Sequence, residues 1–254
     1  MPEHDSRKTG LARALSKLGY CSRSQAAGLI RAGRVTVNGA TRRDPEAPTR
    51  LDRDRIIVDG QTIHQERQTY LMMNKPRGLI TTASDEKGRE TVYSILKPEE
   101  QSLSWVAPVG RLDKASEGLL LLTNDSEWGA RVAAPETHLH KTYHVQIDAV
   151  IDGRVTRAIE RGVMVDEESL RAHRCRLLRS GEKNCWLEIT LDEGKNRQIR
   201  RLLDALDFEV LRLVRVAIGP LQLGTLRKGA HRALTSEEKA ELDRAMERYQ
   251  QARI

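Results

Sequence analysis

Aromatic side chains are scarce in this sequence, which has one Phe, three Trp and five Tyr. A buried core must therefore rest on Leu, Val, Ile and Ala, and any Tyr near a cleft gains interest. No stretch of about 18 or more apolar residues occurs, so no membrane-spanning helix is expected. The opening residues, MPEHDSRKTG, hold no apolar segment of the kind a secretory signal needs. Cysteine is rare as well. Cys21, Cys175 and Cys185 are odd in number and not spaced as metal ligands. They suit a reducing compartment, so a cytoplasmic protein without a structural disulfide is expected. No internal repeat, low-complexity tract or Gly-rich phosphate loop is present. Acid is missing from two long windows. Arg7 to Arg43 contains nine Lys or Arg and no Asp or Glu, and Val210 to Ser236 holds Arg212, Arg215, Arg227, Lys228 and Arg232. Segregated positive charge marks a polyanion binder. The alternative is chance clustering on a solvated face.

The chain has 254 residues, room for two moderate domains, and its net charge of +7 adds to the case for a polyanion. Leu11, Leu15 and Leu18 recur at helical spacing, and Gly19 ends that helix. Ser22 or Ser24 can cap a second helix, whose apolar side holds Ala26, Ala27, Leu29 and Ile30 before Gly33 stops it. Arg34 to Val37 alternates into an Asn38-Gly39 turn, and a strand from Arg55 to Val58 precedes Asp59-Gly60. The run LSKLGYCSRSQAAGLIRAGRVTVNG resembles the S4 domain, over roughly residues 9–66. In that family two helices and a hairpin present basic side chains to structured RNA. The resemblance implies phosphate contacts from Arg13, Lys17, Arg23, Arg31 and Arg34. An RNA-binding domain over residues 1–66 is expected, with residues 67–254 as a second domain.

Past a polar hinge at 65–68, strand patterns occur at Tyr70–Asn74, Gly118–Thr123, Lys141–Ile147, Cys185–Leu191 and Glu209–Ile218. Helical patterns occur at Ser126–Ala134, Arg154–Arg161, Asn196–Leu206 and Thr235–Gln250, the last opened by a Thr235–Glu238 capping box. Irregular interspersion of the two predicts an α+β domain on a mixed, mainly antiparallel sheet with flanking helices.

The loop Pro108-Val109-Gly110-Arg111-Leu112-Asp113-Lys114-Ala115-Ser116-Glu117-Gly118 gathers charge at the mouth of a four-Leu strand. Buried charge is costly unless paired or opened to a cleft, and such loops often carry function. Composition alone favours an ordinary polar turn. The motif G-R-L-D followed by E-G-L-L-L-L-T-N-D, however, resembles the catalytic motif of pseudouridine synthases of the branch acting on ribosomal RNA. The stretch Tyr70–Gly78 resembles that family's opening strand, Lys141-Thr142-Tyr143 its second motif and Glu193–Arg201 its third. The resemblance covers about residues 69–235.

The resemblance implies an isomerase that breaks the C1′–N1 bond of a uridine and rejoins the base through C5. That chemistry needs no redox step or phosphate donor, so neither cofactor nor metal is expected. It implies Asp113 as catalytic carboxylate, Tyr143 stacked on the target base and Arg200 paired with the aspartate. Extraction of a stacked uridine would call on Arg111 as the inserted side chain, with Arg197 and Lys75 as further RNA contacts near the pocket. Tyr143 also reads as a core residue, sharing one strand face with Val145 and Ile147.

The expected partner is ribosomal RNA of the small or large subunit, or an assembly intermediate, bound by a monomer. A non-catalytic RNA-binding module is the first alternative. A glycosidic hydrolase using Asp113 and Glu117 is the second. His138, His140 and His144 invite a metal reading but lack carboxylate or Cys company in the sequence.

Overall fold

The computed structural model describes residues 8–82, 87–96 and 105–251, the last three of these in backbone only. The chain divides into two compact units. One holds the described residues up to Tyr70 with 105–107 and Leu122–Glu127, and the other holds most of the remainder.

In the first unit, α1 (Leu11–Lys17) and α2 (Arg23–Arg31) precede β1 (Val35–Val37), β2 (Ala40–Arg42), β3 (Ile56–Val58) and β4 (Gln61–Thr62). Ser22 is the N-cap of α2: its hydroxyl accepts from Gln25 N while the Gln25 side chain accepts from Ser22 N, a complete capping box. Asn38-Gly39 and Asp59-Gly60 both take left-handed φ, as tight hairpin turns require. The strands pair in the order β2-β1-β3-β4, antiparallel throughout. Leu11, Leu15, Ile30, Val35 and Ile56 form their own core beneath the helices.

A large sheet lies mostly in the second unit. Its strands are β5 (Tyr70–Lys75), β6 (Ala107–Val109), β7 (Glu117–Thr123), β8 (Lys141–Ile147), β11 (Arg174–Ser180), β12 (Cys185–Leu191), β13 (Val210–Ile218), β14 (Leu221–Gln222) and β15 (His231–Ala233). A separate hairpin joins β9 (Val163–Val165) to β10 (Glu168–Leu170). The main path runs β11-β12-β8-β13-β7-β5-β15. Helices α3 (Ser126–Ala133), α4 (Gly153–Arg161), α5 (Gln198–Asp204) and α6 (Ser236–Gln251) flank it. The expected mixed, mainly antiparallel sheet is the one found, the pair β13–β7 being parallel.

The four leucines of β7, Leu119–Leu122, are completely buried, each worth roughly 1.5–3 kcal/mol. A strand covered on both faces reads as a continuous apolar run, which is why no alternation appears there. Gly118 opens it at φ +103°, and a Cβ at that position would lie 2.2 Å from Arg215 O on β13. Only glycine lets the two parallel backbones approach so closely.

The predicted capping box also forms. Glu238 N donates to Thr235 Oγ1 at 3.1 Å, and the Glu238 side chain accepts from Thr235 N at 2.8 Å. Cys21, Cys175 and Cys185 are all free thiols. Among the described residues no helix is long and apolar enough to cross a membrane.

Candidate active site

The loop before β7 carries five consecutive carbonyls, and every one accepts a hydrogen bond. Leu112 O is taken by Thr81 Oγ1 at 2.8 Å, and Asp113 O by Lys75 Nζ at 3.2 Å and Ser116 N at 2.9 Å. Lys114 O is taken by Gly78 N at 2.8 Å, Ala115 O by Arg200 Nη2 at 3.3 Å, and Ser116 O by Lys75 Nζ at 2.9 Å. Buried carbonyls left unpaired would each cost about 1–3 kcal/mol, so this satisfaction makes the loop rigid. The donors are Lys75 at the end of β5, Gly78 and Thr81 just after it, Ser116 in the loop itself and Arg200 on α5, so three separated segments meet at this loop.

Lys75, expected at the rim among the RNA contacts, lies under the loop with no exposed surface. Its ammonium donates to Pro76 O, Asp113 O and Ser116 O, so it holds the loop rather than reaching solvent. Burial pulls it down to about 8, with Asp113 and Glu117 opposing that fall.

Glu117 is also buried. Burial would raise its carboxyl, but Lys228 and Arg212 outweigh that and hold it below the ordinary carboxylate range. Glu117 is buried between two cations and is not among the residues lining the cavity that Asp113 faces, so the geometry gives the Asp113–Glu117 hydrolase reading no support.

The Asp113 side chain, 38 % exposed, faces a cavity of about 530 Å³ that is also lined by Arg111, Lys141, Tyr143, Arg197 and Arg215. Among the described residues the cation within ion-pair reach of Asp113 is Arg197, whose Nη1 stands 3.8 Å from Oδ2. That separation is too long for a hydrogen bond. Arg197 has left-handed φ of +49° at the N-cap of α5, a strained conformation for a side-chain-bearing residue.

The resemblance put Arg200 beside the aspartate. Instead Arg200, one turn further along, ties Ala115 O to Val210 O. It still feels the carboxylate. Burial and Arg197 lower its pKa, and Asp113 partly restores it.

Tyr143 is half-buried, packs against the core of the second unit and also lines the cavity. Arg111 is exposed at the same cavity.

Two functional candidates escaped the sequence reading. Arg215 is 5 % exposed, its Nε donates to Leu119 O at 2.7 Å, and its Nη2 is buried with no hydrogen-bond partner. Beside it Lys141 is brought down to about 8 by burial and then by the charge of Arg215. The signal for Arg215 was its parity, since Leu213, Arg215 and Ala217 share the buried face of β13.

Of the expected phosphate contacts in the first unit, Arg13, Arg23 and Arg31 are exposed. Lys17 pairs with Glu127 at 2.8 Å, and Arg34 makes a two-pronged pair with Asp59.

A carboxylate on a rigid loop, set in a cationic cavity of small-molecule size, defines an enzyme site for an anionic substrate. Residues 69–205 match the RNA pseudouridylate synthase family, and residues 9–50 match the S4 domain. An uncharacterized RNA pseudouridine synthase of Aquifex aeolicus is 36% identical over 235 residues, covering 91% of this chain and 92% of that protein. The ribosomal large subunit pseudouridine synthase B of Bacillus subtilis is 34% identical over 230 residues, covering 90% of this chain and 93% of that protein. A crystal structure of a pseudouridylate synthase matches with a TM-score of 0.63 at 28% identity, over 92% of this chain and 99% of that one. The chain belongs to the RNA pseudouridylate synthase family and carries an N-terminal S4 domain. These findings give no support to the non-catalytic binding module.

Proposed function

We propose that this chain converts a specific uridine of ribosomal RNA to pseudouridine, with Asp113 as the catalytic carboxylate. One observation carries the assignment: the backbone carbonyls from Leu112 to Ser116 all accept hydrogen bonds, while the Asp113 carboxylate faces the cavity without a close partner. A preorganised group of this kind loses little freedom at the transition state.

In the reaction the C1′–N1 bond breaks, a C1′–C5 bond forms, the C5 proton leaves and N1 gains one. Atoms and electrons balance within the nucleotide, so no donor is consumed. Tyr143 stacks on the uracil. Arg197 holds charge next to Asp113, and Arg200 positions the loop. Arg111 enters the stack that the uridine vacates, offsetting an unstacking cost of a few kcal/mol. The buried, unpartnered Nη2 of Arg215 offers a donor to a carbonyl or phosphate oxygen of the bound nucleotide.

Residues 1–66 act as the docking domain through Arg13, Lys17, Arg23, Arg31 and Arg34, and residues 67–254 as the catalytic domain. The name of the Bacillus subtilis relative favours large-subunit RNA as the substrate. The protein works as a cytoplasmic monomer.

The test maps pseudouridine across both ribosomal RNAs in cells carrying the wild-type protein, Asp113→Asn or a deletion. One site lost in both mutants establishes the reaction, the residue and the substrate. If every site persists in both, ribosomal RNA is not the substrate.

A further inference from the structure

His140 directly precedes β8, His173 directly precedes β11 and Asp192 directly follows β12. These three strands are neighbours in the order β11-β12-β8, so the sheet delivers all three residues to one end. His173 N donates to Thr190 O at 2.9 Å and Gly219 N donates to His140 O at 2.8 Å, which fixes both histidine backbones. In the sequence His138, His140 and His144 lack carboxylate or Cys company. The fold supplies one to His140 from a distant segment, together with a second imidazole, whereas His144 turns to Glu188 at 3.4 Å.

The donor atoms converge. His140 Nε2 lies 2.9 Å from Asp192 Oδ1, His173 Nδ1 lies 3.2 Å from Asp192 Oδ2, and all the ligand atoms fall within 4.8 Å of one another. The imidazole rings sit 4.5 Å apart, tilted by 38° rather than stacked flat. Bonds of roughly 2.0–2.1 Å at a tetrahedral centre place donor atoms roughly 3.3 Å apart, close to the two carboxylate–imidazole distances and shorter than the 4.8 Å that bounds the whole set.

The telling atom is Asp192 Oδ1. It is buried and has no hydrogen-bond partner despite standing 2.9 Å from His140 Nε2. The ring nitrogen is therefore near the oxygen without pointing at it, the relation of two ligands that share a third atom. A buried carboxylate oxygen without a donor is costly, and a cation between the groups would remove that cost.

We propose that His140, His173 and Asp192 bind one zinc-class divalent cation. Two imidazoles and a carboxylate suit zinc, cobalt or nickel rather than magnesium or calcium. The three side chains are 31%, 49% and 34% exposed, so the ion has a path in and a coordination position left for water. Lys141 and His138 stand near enough to oppose added positive charge, which sets the affinity below that of a closed four-ligand site. The site is not part of the isomerisation chemistry. It pins Asp192, the residue before the Glu193–Arg197 loop that brings Arg197 to Asp113, and so acts on the position of that loop.

The test titrates untagged, chelator-stripped full-length protein with zinc chloride by calorimetry and with cobalt chloride by visible absorption. The wild type should take one ion per chain, show the intense bands of low-coordinate cobalt, and melt about 5 °C or more higher at a hundredfold excess over Kd. His173→Ala and Asp192→Asn should each weaken binding at least about tenfold and abolish the rise in melting temperature. His173 is half in solvent, so its variant keeps the experiment decisive even if the other fails to fold. Absence of stoichiometric binding, or wild-type binding in the His173 variant, would reduce the cluster to a carboxylate between two imidazoles and overturn the proposal.

Discussion

Lys75 has no exposed surface and spends its charge on three backbone carbonyls, whereas Arg13, Arg23 and Arg31 stand in solvent. Arg215 and Arg200 follow Lys75: each donates to backbone carbonyls and each keeps a buried nitrogen unpartnered. The same residue types thus do two different jobs. In the second unit cations shape the floor under a carboxylate, where low dielectric makes each contact strong and each loss expensive. On the first unit they are exposed, placed to displace counterions from an RNA backbone at little cost to stability. Substitutions should therefore damage turnover and folding in one region and salt-dependent affinity in the other.

The sharpest test of that division is Asp113→Asn. It should lower single-turnover pseudouridine formation by about 10⁴-fold or more, with RNA affinity nearly unchanged. A parallel loss of affinity would show that the carboxylate organises binding instead.

Lys75→Met comes next. It strips the donor from Asp113 O and Ser116 O, and should cost about 3 kcal/mol, or roughly 10 °C in Tm, along with most of the turnover. An unaltered melting curve would mean that the loop holds itself.

A pH profile of turnover gives the third test. Below about 8 the Lys75 ammonium keeps all its donors, and as pH rises through about 8 it loses one, so turnover should fall on the alkaline side. Stability should move the other way. The unfolded lysine binds its proton up to its ordinary higher value, so between the two values unfolding takes up protons and stability from this group rises with pH. Lys141 is also lowered to about 8, so the limb is measured again in Lys141→Arg. A limb that disappears there would belong to Lys141.

The smallest effect is expected from Arg13, Arg23 and Arg31 replaced together by Gln. Turnover at saturating RNA should hold, while the slope of log affinity against log salt falls by roughly 0.7–0.9 per lost phosphate contact. An unchanged slope would place the RNA track elsewhere.

Much of this architecture could be read from the residues. The stripe of Leu11, Leu15 and Leu18, the Asn38-Gly39 turn and the four-Leu run of β7 each carry a local signal strong enough to survive tertiary packing. Strand β11 carries none. Its residues Arg174–Ser180 mix arginines and exposed leucines along one edge of the sheet, so no face alternates cleanly. At the site, the motifs drew Asp113, Tyr143, Arg111 and Arg197 to one cavity. Burial was not legible. Lys75 and Glu117 look in sequence like solvated loop charges, and only three-dimensional neighbours reveal that one is wrapped in carbonyls and the other held between Arg212 and Lys228. The convergence of His140, His173 and Asp192 was hidden for the same reason, because strand adjacency rather than spacing creates it.

The parallel contact of Glu117 and Gly118 with Val214 and Arg215 also bears on when the enzyme becomes competent. These partners are far apart in the chain, so closing that pair carries a high loop-entropy cost and belongs to a late stage of folding. A chain emerging during synthesis would contain the Asp113 segment well before Arg200 and Arg215, which anchor that loop and its strand, had been made. Competence therefore arrives almost at once, when Arg215 has emerged and paired, and a product truncated before Arg200 should be inert rather than partly active.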